Sequence, residues 1–170
     1  MDGGIAVATG ITAHLDKHAD DYAVIIASRD WHDADNDNGG HFAAEGEAPN
    51  FVDTWPVHCV AGTPGADYHP ALDTTRITHH VKKGQGIPAY SMFEGLSDTG
   101  HTVAQILSDA HVTEVEVVGI ATDHCVRASA LDALGEGLSV NIATDLIAAV
   151  SEHTGAKALA ELTSKGATLG

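Results

Sequence analysis

Val7, Ile11 and Leu15 recur at every fourth position, and the apolar stripe they make predicts an amphipathic helix running to about Ala19. Residues 22–27, Tyr-Ala-Val-Ile-Ile-Ala, form a short unbroken apolar run instead, which predicts a strand buried on both faces. From 29 to 75 no period is sustained, and Asp, Asn, Gly and Pro are spread throughout. An irregular region of that length in a compact domain tends to carry function. A second strand is expected at 76–81, ending before Gly84 and Gly86. Asp98 or Thr99 can cap a helix whose apolar face includes Val103, Ile106 and Leu107. The run at 115–120 predicts a third strand, followed by helix from about 124 to 135, a fourth strand at 138–143 and a last helix at 156–162. At 167–170 a further strand would begin. Strands alternating with helices define an α/β protein, with a doubly wound, mostly parallel sheet covered by helices on both faces. No repeat or linker interrupts it, so residues 1–170 read as a single domain.

Composition adds limits. Hydrophobic residues make up 44% of the chain, enough for a core and too many for a disordered one. The 24 acidic residues outnumber the 8 basic ones and leave a net charge of −16. So acidic a surface repels phosphate backbones and anionic lipid, and neither nucleic acid nor a membrane is an expected partner. No stretch approaches the roughly 20 apolar residues of a membrane span, and the first residues lack the features of a signal peptide. Two cysteines, Cys59 and Cys125, make no disulfide framework, so a reducing cytoplasm is the expected compartment. The 12 histidines are the compositional oddity and direct the search to metal ligands.

Asp30 and His32 stand two apart, just past the first predicted strand, where an extended chain projects both to the same side. His41 and His58 follow in the same irregular region. One carboxylate and three imidazoles suit Zn, Fe or Mn. The plainer reading is that these histidines and the acidic stretch at 33–37 have no ligand role. Cys125 lies between a strand and a helix, at the edge where parallel sheets place their sites. Unpaired N–H groups at a helix start favour a thiolate and can also receive an oxyanion. A free cysteine is also at home as a small buried hydrophobe, a reading that suits Cys59. Lys82 and Lys83, at the end of the second strand, can steady a thiolate or simply form a solvated edge pair.

Several segments combine into something more specific. They are Ser28-Arg29-Asp30-Trp31-His32, the run from Trp55-Pro56-Val57-His58-Cys59 to Ala66, Lys83-Gly84, Ala89-Tyr90-Ser91-Met92-Phe93-Glu94-Gly95, and the run from Val118-Gly119-Ile120-Ala121 to His124-Cys125-Val126. Together they resemble the nicotinamidase/pyrazinamidase family of isochorismatase-like cysteine hydrolases, over nearly the whole chain. The resemblance implies that Cys125 is the nucleophile and Lys83 its catalytic lysine. It implies that Asp30, His32, His41 and His58 hold one divalent metal ion, Zn or Fe, with Mn also compatible. It implies a cis peptide between Ile120 and Ala121, backbone N–H groups of Ala121 and Cys125 at the oxyanion, and a ring pocket of Trp55, Tyr90 and His124. The implied activity converts nicotinamide to nicotinic acid and ammonia, or pyrazinamide to pyrazinoic acid, within NAD salvage. The implied partner is a small pyridine carboxamide, and an oligomer is compatible.

One part of that pattern has no match. Family members open on an apolar strand ending in an aspartate, in a run resembling Asp-x-Gln-x-Asp-Phe, and that aspartate is the general acid/base. Here Asp2-Gly3-Gly4-Ile5 corresponds to the start of the first helix, and Asp2, Asp16, Asp20 and Asp21 do not match the run. The chain is therefore expected to lack the central strand and to be truncated relative to the family, with about 20 codons upstream to supply a strand and a loop. On that expectation the 170-residue chain has weak or no activity and low stability. The alternatives are another isochorismatase-like amidase, or a non-catalytic metal-binding remnant.

Overall fold

The computed structural model describes residues 2–170. Helix α1, Gly4–His18, buries Val7, Ala8 and Leu15, so the four-residue stripe faces the protein. It packs on two strands that come much later in the chain, β4 (Glu114–Ile120) and β5 (Ser139–Ala148). Strand β1 is Ile26–Asp30, shifted from the apolar run toward the polar residues that follow it. The shift has a cause in pairing. β1 runs parallel to β2, His79–Lys83, in a register that sets Asp30 opposite Lys83, so both candidates are the last residues of their strands. A short strand β3, Leu96–Ser97, unforeseen in the pattern, closes this sheet on the antiparallel side of β2.

Helix α2, Val103–Asp109, starts later than Asp98 or Thr99 would allow. Thr102 is the cap: its side chain accepts from the Gln105 N–H, and Gln105 returns the bond to the Thr102 N–H. Its Val103 and Leu107 pack with Val81 of β2 in one core. The expected helix from 124 divides into a π-helical turn, Thr122–Val126, and α3, Arg127–Gly135. β5 is longer than expected, α4 spans Glu152–Ser164, and a final strand β6, Thr168–Leu169, pairs with β5. Strands β4, β5 and β6 form a second, parallel sheet over a core of Ala130, Ala133, Val140, Ile142, Leu162 and Ala167.

These are two separate three-stranded sheets, ordered β1-β2-β3 and β4-β5-β6. β1 and β4 face each other across a cleft of about 570 Å³, and among the described residues no backbone hydrogen bond joins them. Both strands run the same way. Tyr22, ahead of β1, hydrogen-bonds Glu116 near the start of β4, while Lys83 beside the end of β1 reaches Cys125 beyond the end of β4. The open edge corrects the expectation that the first strand is buried on both faces: every residue of β1 is only half-buried.

Candidate active site

The C-terminal ends of β1, β2 and β4 converge. Lys83 has a side chain only 3% exposed, and its Nζ makes an ion pair with Asp30 and donates to the Ala89 carbonyl at 3.2 Å. The same nitrogen lies 3.5 Å from Cys125 Sγ. Burial on its own would lower the Lys83 pKa, but Cys125 and Asp30 beside it hold it above the ordinary lysine value. Burial raises the Cys125 thiol, and Lys83 opposes that rise. The helix-start argument foresaw a favoured thiolate; the desolvated setting instead makes the thiolate depend on its lysine. The Ile120–Ala121 peptide is cis, and the Ala121 N–H is turned toward the Cys125 sulfur. Ala121 and Cys125 thus stand at one turn.

His32, His41 and His58 form one group of possible ligands, all within 4.8 Å of one another, while Asp30, His58 and Cys59 form a second. The structure therefore does not gather the four expected ligands around one point. Asp30 faces Lys83, and only His58 belongs to both groups. The histidine group nonetheless fits a metal. His32 Nε2 and both ring nitrogens of His41 are buried without a hydrogen-bond partner, a costly arrangement that a cation would resolve. The remaining nitrogens are already engaged: His32 Nδ1 pairs with the Gly84 carbonyl at 2.9 Å and His58 Nδ1 with the Pro56 carbonyl at 2.8 Å. Such bonds fix ring orientation and leave Nε2 as the ligand atom. Cys59 is not mere core. It sits at φ 47°, contributes to the second group, and burial pushes its thiol up to about 11.

Gly84 makes this packing possible. At φ +83° a Cβ on it would stand 2.6 Å from the His32 ring, so Gly84→Ala must move the imidazole. That variant is expected to bind zinc at least about tenfold more weakly, by competition with a chelating dye, because it disturbs a ligand through its supporting contact. Burial and the neighbouring His32 and His58 push the His41 pKa from 6.5 down to about 4. The unfolded chain then binds more protons than the folded one between those values. Metal-free protein is therefore expected to keep its stability above pH 6.5 and lose it as the pH falls toward 4, a drop visible in thermal melts.

Trp55, Tyr90 and His124, from three distant segments, meet in one aromatic cluster. His124 stacks on Tyr90 with centroids 5.6 Å apart and meets the Trp55 ring edge-on at 4.8 Å. Trp55 Nε1 donates to the Tyr90 hydroxyl at 2.9 Å, which locks the two walls together. His41 lies 5.7 Å from Tyr90, so the aromatic box borders the histidine group. Two supporting residues escaped the sequence reading. Asn38, fully buried at φ 51°, accepts from the N–H groups of Asp33 and Gly86 and sets the loop that carries His41. Asp123 accepts from the Val150 N–H and the Thr154 hydroxyl, tying the turn that carries Cys125 to the start of α4. The alternating Asp and Asn residues at 35–38 are a turn signal that could have pointed to Asn38; nothing local marks Asp123.

A strand-end cysteine beside a buried lysine, with an aromatic box and a histidine group on the same rim, is a hydrolase site in an α/β fold. The chain belongs to the Isochorismatase domain family, which matches residues 2–170. It is 44% identical over 162 residues to the nicotinamidase/pyrazinamidase of Mycobacterium tuberculosis, covering 95% of this chain and 83% of that one. Its fold matches the pyrazinamidase of Pyrococcus horikoshii in complex with zinc at TM-score 0.81 and 32% identity, over 100% of this chain and 87% of that one. PnC1 from L. infantum, in complex with nicotinate, matches at TM-score 0.80 and 33% identity, over 99% and 80% of the two chains. No helix among the described residues is long and apolar enough to cross a membrane.

Proposed function

We propose that this chain hydrolyses nicotinamide to nicotinate and ammonia, and pyrazinamide likewise, through a thioester on Cys125. The observation that carries the reading is the juxtaposition of the Lys83–Cys125 pair, 3.5 Å apart, with the aromatic cluster of Trp55, Tyr90 and His124. In this reading the ring lies against the aromatic cluster with its carboxamide toward Sγ. The Cys125 sulfur attacks the carboxamide carbon as its proton passes to water, and the Ala121 N–H faces the developing oxyanion. The C–N bond breaks as the nitrogen takes up a proton from water and departs as ammonia. Water then cleaves the thioester, releasing the acid and restoring the thiol. Lys83 steadies the sulfur's negative charge when the thiolate attacks and again when it leaves the thioester. Among the described residues, Asp30 is the one carboxylate paired with Lys83, so Asp30 serves both the lysine and the metal group.

His32, His41 and His58, with Asp30 near them, are the residues that would hold a divalent ion, zinc by the chemistry of an imidazole-rich set. When bound, the ion supplies a Lewis acid for the ring nitrogen. Two free cysteines support a reducing, cytoplasmic setting. The reading is tested by incubating the purified chain with zinc and nicotinamide and following products by chromatography. Nicotinate and ammonia are expected in equal amounts, at a low rate. Benzamide, without the ring nitrogen, is expected to react at least about tenfold more slowly. Absence of nicotinate at high enzyme concentration would overturn the hydrolysis.

A further inference from the structure

Residues 84–95 join β2 to β3 outside either strand, yet they touch both halves of the site. The Ala89 carbonyl accepts from Lys83 Nζ at 3.2 Å. Tyr90, the next residue, stacks on His124, and its hydroxyl accepts from Trp55 Nε1 at 2.9 Å. One peptide unit therefore joins the lysine's support to the aromatic wall. That peptide is trans, so its C=O and N–H point in opposite directions. With the C=O committed to Lys83, the orientation of the unit is set by whatever holds the N–H.

Glu94 holds it. A single carboxylate oxygen, Oε2, accepts from the Tyr90 N–H at 3.0 Å and from the Ser91 N–H at 2.8 Å. The bond to Ser91 belongs to a capping box around the short turn Met92–Glu94, in which Ser91 Oγ accepts from the Phe93 N–H at 3.2 Å. The bond to Tyr90 lies outside that box. At α2 the comparable box has no such extension: among the described residues, Gln105 Oε1 accepts from the Thr102 N–H alone. Two more contacts anchor the turn. Ser129 Oγ of α3 accepts from the Met92 N–H at 2.9 Å. A Cβ on Gly95 would stand 2.5 Å from the Lys82 carbonyl oxygen, so the segment lies flush on β2 next to Lys83.

We propose that Glu94 is a positioning residue for the hydrolysis: its carboxylate orients the Ala89–Tyr90 peptide, and through that one unit it sets both the Lys83 ammonium beside Cys125 and the Tyr90 ring of the aromatic cluster. The inference rests on the reading of Cys125 as nucleophile and Lys83 as its partner. Glu94 acts through the backbone, by accepting two N–H bonds. An amide oxygen of the same reach is therefore a sufficient replacement, as Gln105 is in the box at α2.

The experiment compares the parent with Glu94→Ala, Glu94→Gln and Ser91→Ala. Alkylation of Cys125 by iodoacetamide is followed by peptide mapping, nicotinate binding by calorimetry, and nicotinamide hydrolysis as kcat and KM. Glu94→Ala is expected to slow the alkylation and weaken nicotinate binding, each at least about tenfold, with kcat falling and KM rising. Glu94→Gln is expected to return both to within about threefold of the parent. Ser91→Ala removes the other half of the box and is expected to lose thermal stability as Glu94→Ala does, while keeping the parent's alkylation rate and nicotinate affinity. If Glu94→Ala does not fold, Glu94→Asp, one methylene too short for the same reach, takes its place. Parent values in Glu94→Ala overturn the inference. Equal losses in Ser91→Ala overturn it in favour of a purely structural turn, and a Glu94→Gln variant as impaired as Glu94→Ala overturns it in favour of the charge. A parent that releases no ammonia, with alkylation and nicotinate binding still ordered as expected, overturns the hydrolysis and upholds the positioning.

Discussion

Replacing Cys125 with serine is expected to lower nicotinamide hydrolysis at least about 1,000-fold while leaving the fold intact. Serine is close in size to cysteine and can still accept from Lys83 Nζ, so the substitution keeps the packing at the turn of residues 122–126. What it removes is the nucleophile. A serine hydroxyl needs a strong neighbouring base to attack a carboxamide, and the group beside it here is a lysine held above its ordinary pKa, which is a donor. Ammonia release measures the loss directly. Capture of pyridine-3-carbaldehyde offers a second readout, because a thiol adds across the aldehyde carbonyl without any leaving group to protonate. Unchanged ammonia release by the serine variant would move the nucleophile elsewhere, and Cys59 is the residue to test next.

His58→Ala is expected to abolish stabilisation by zinc without changing the melting of the metal-free protein. His58 is the shared member of both ligand groups, so its loss breaks each of them. It is also only partly buried and packs through its ring edge, unlike His32, which is fully buried and bonded to Gly84. Zinc at about 100 times its dissociation constant is expected to raise the stability of the parent protein by about 2.7 kcal/mol. The gain should disappear in the variant at the same zinc concentration. Thermal melts with and without zinc, paired with elemental analysis of the purified proteins, measure both quantities. Equal zinc content in parent and variant would remove His58 from the site.

Much of the site was legible because its residues cluster at element ends. Asp30, Lys83 and Cys125 each sit where an apolar run stops, and strand ends are where a parallel sheet exposes side chains to a cleft. The aromatic box followed from Trp55, Tyr90 and His124 as segments of a family pattern, and the rings do meet. Asp30 shows where that reasoning stopped. Its spacing with His32 suggested a common ligand direction, but β1 extends through Asp30 and pairs it across the sheet with Lys83. A buried ammonium and an adjacent carboxylate attract each other strongly where water is scarce, and that pairing decides where the carboxylate points. The boundaries of the short elements failed for a similar reason. Thr102 was chosen over Thr99 by a reciprocal bond with Gln105, a choice between neighbouring candidates that periodicity does not rank.

The sequence by itself determined the α/β class and the helix faces, and it put forward the candidate reactive side chains, all of which depend on residue type and on spacing within one element. Tertiary structure alone decided that Asp30 pairs with Lys83, that His32 rests on Gly84 across 52 residues, and that β1 and β4 stand apart with open edges. Those facts depend on strand register and on which edges meet. Register is set by pairing between distant segments, and no local period of hydrophobic residues records it.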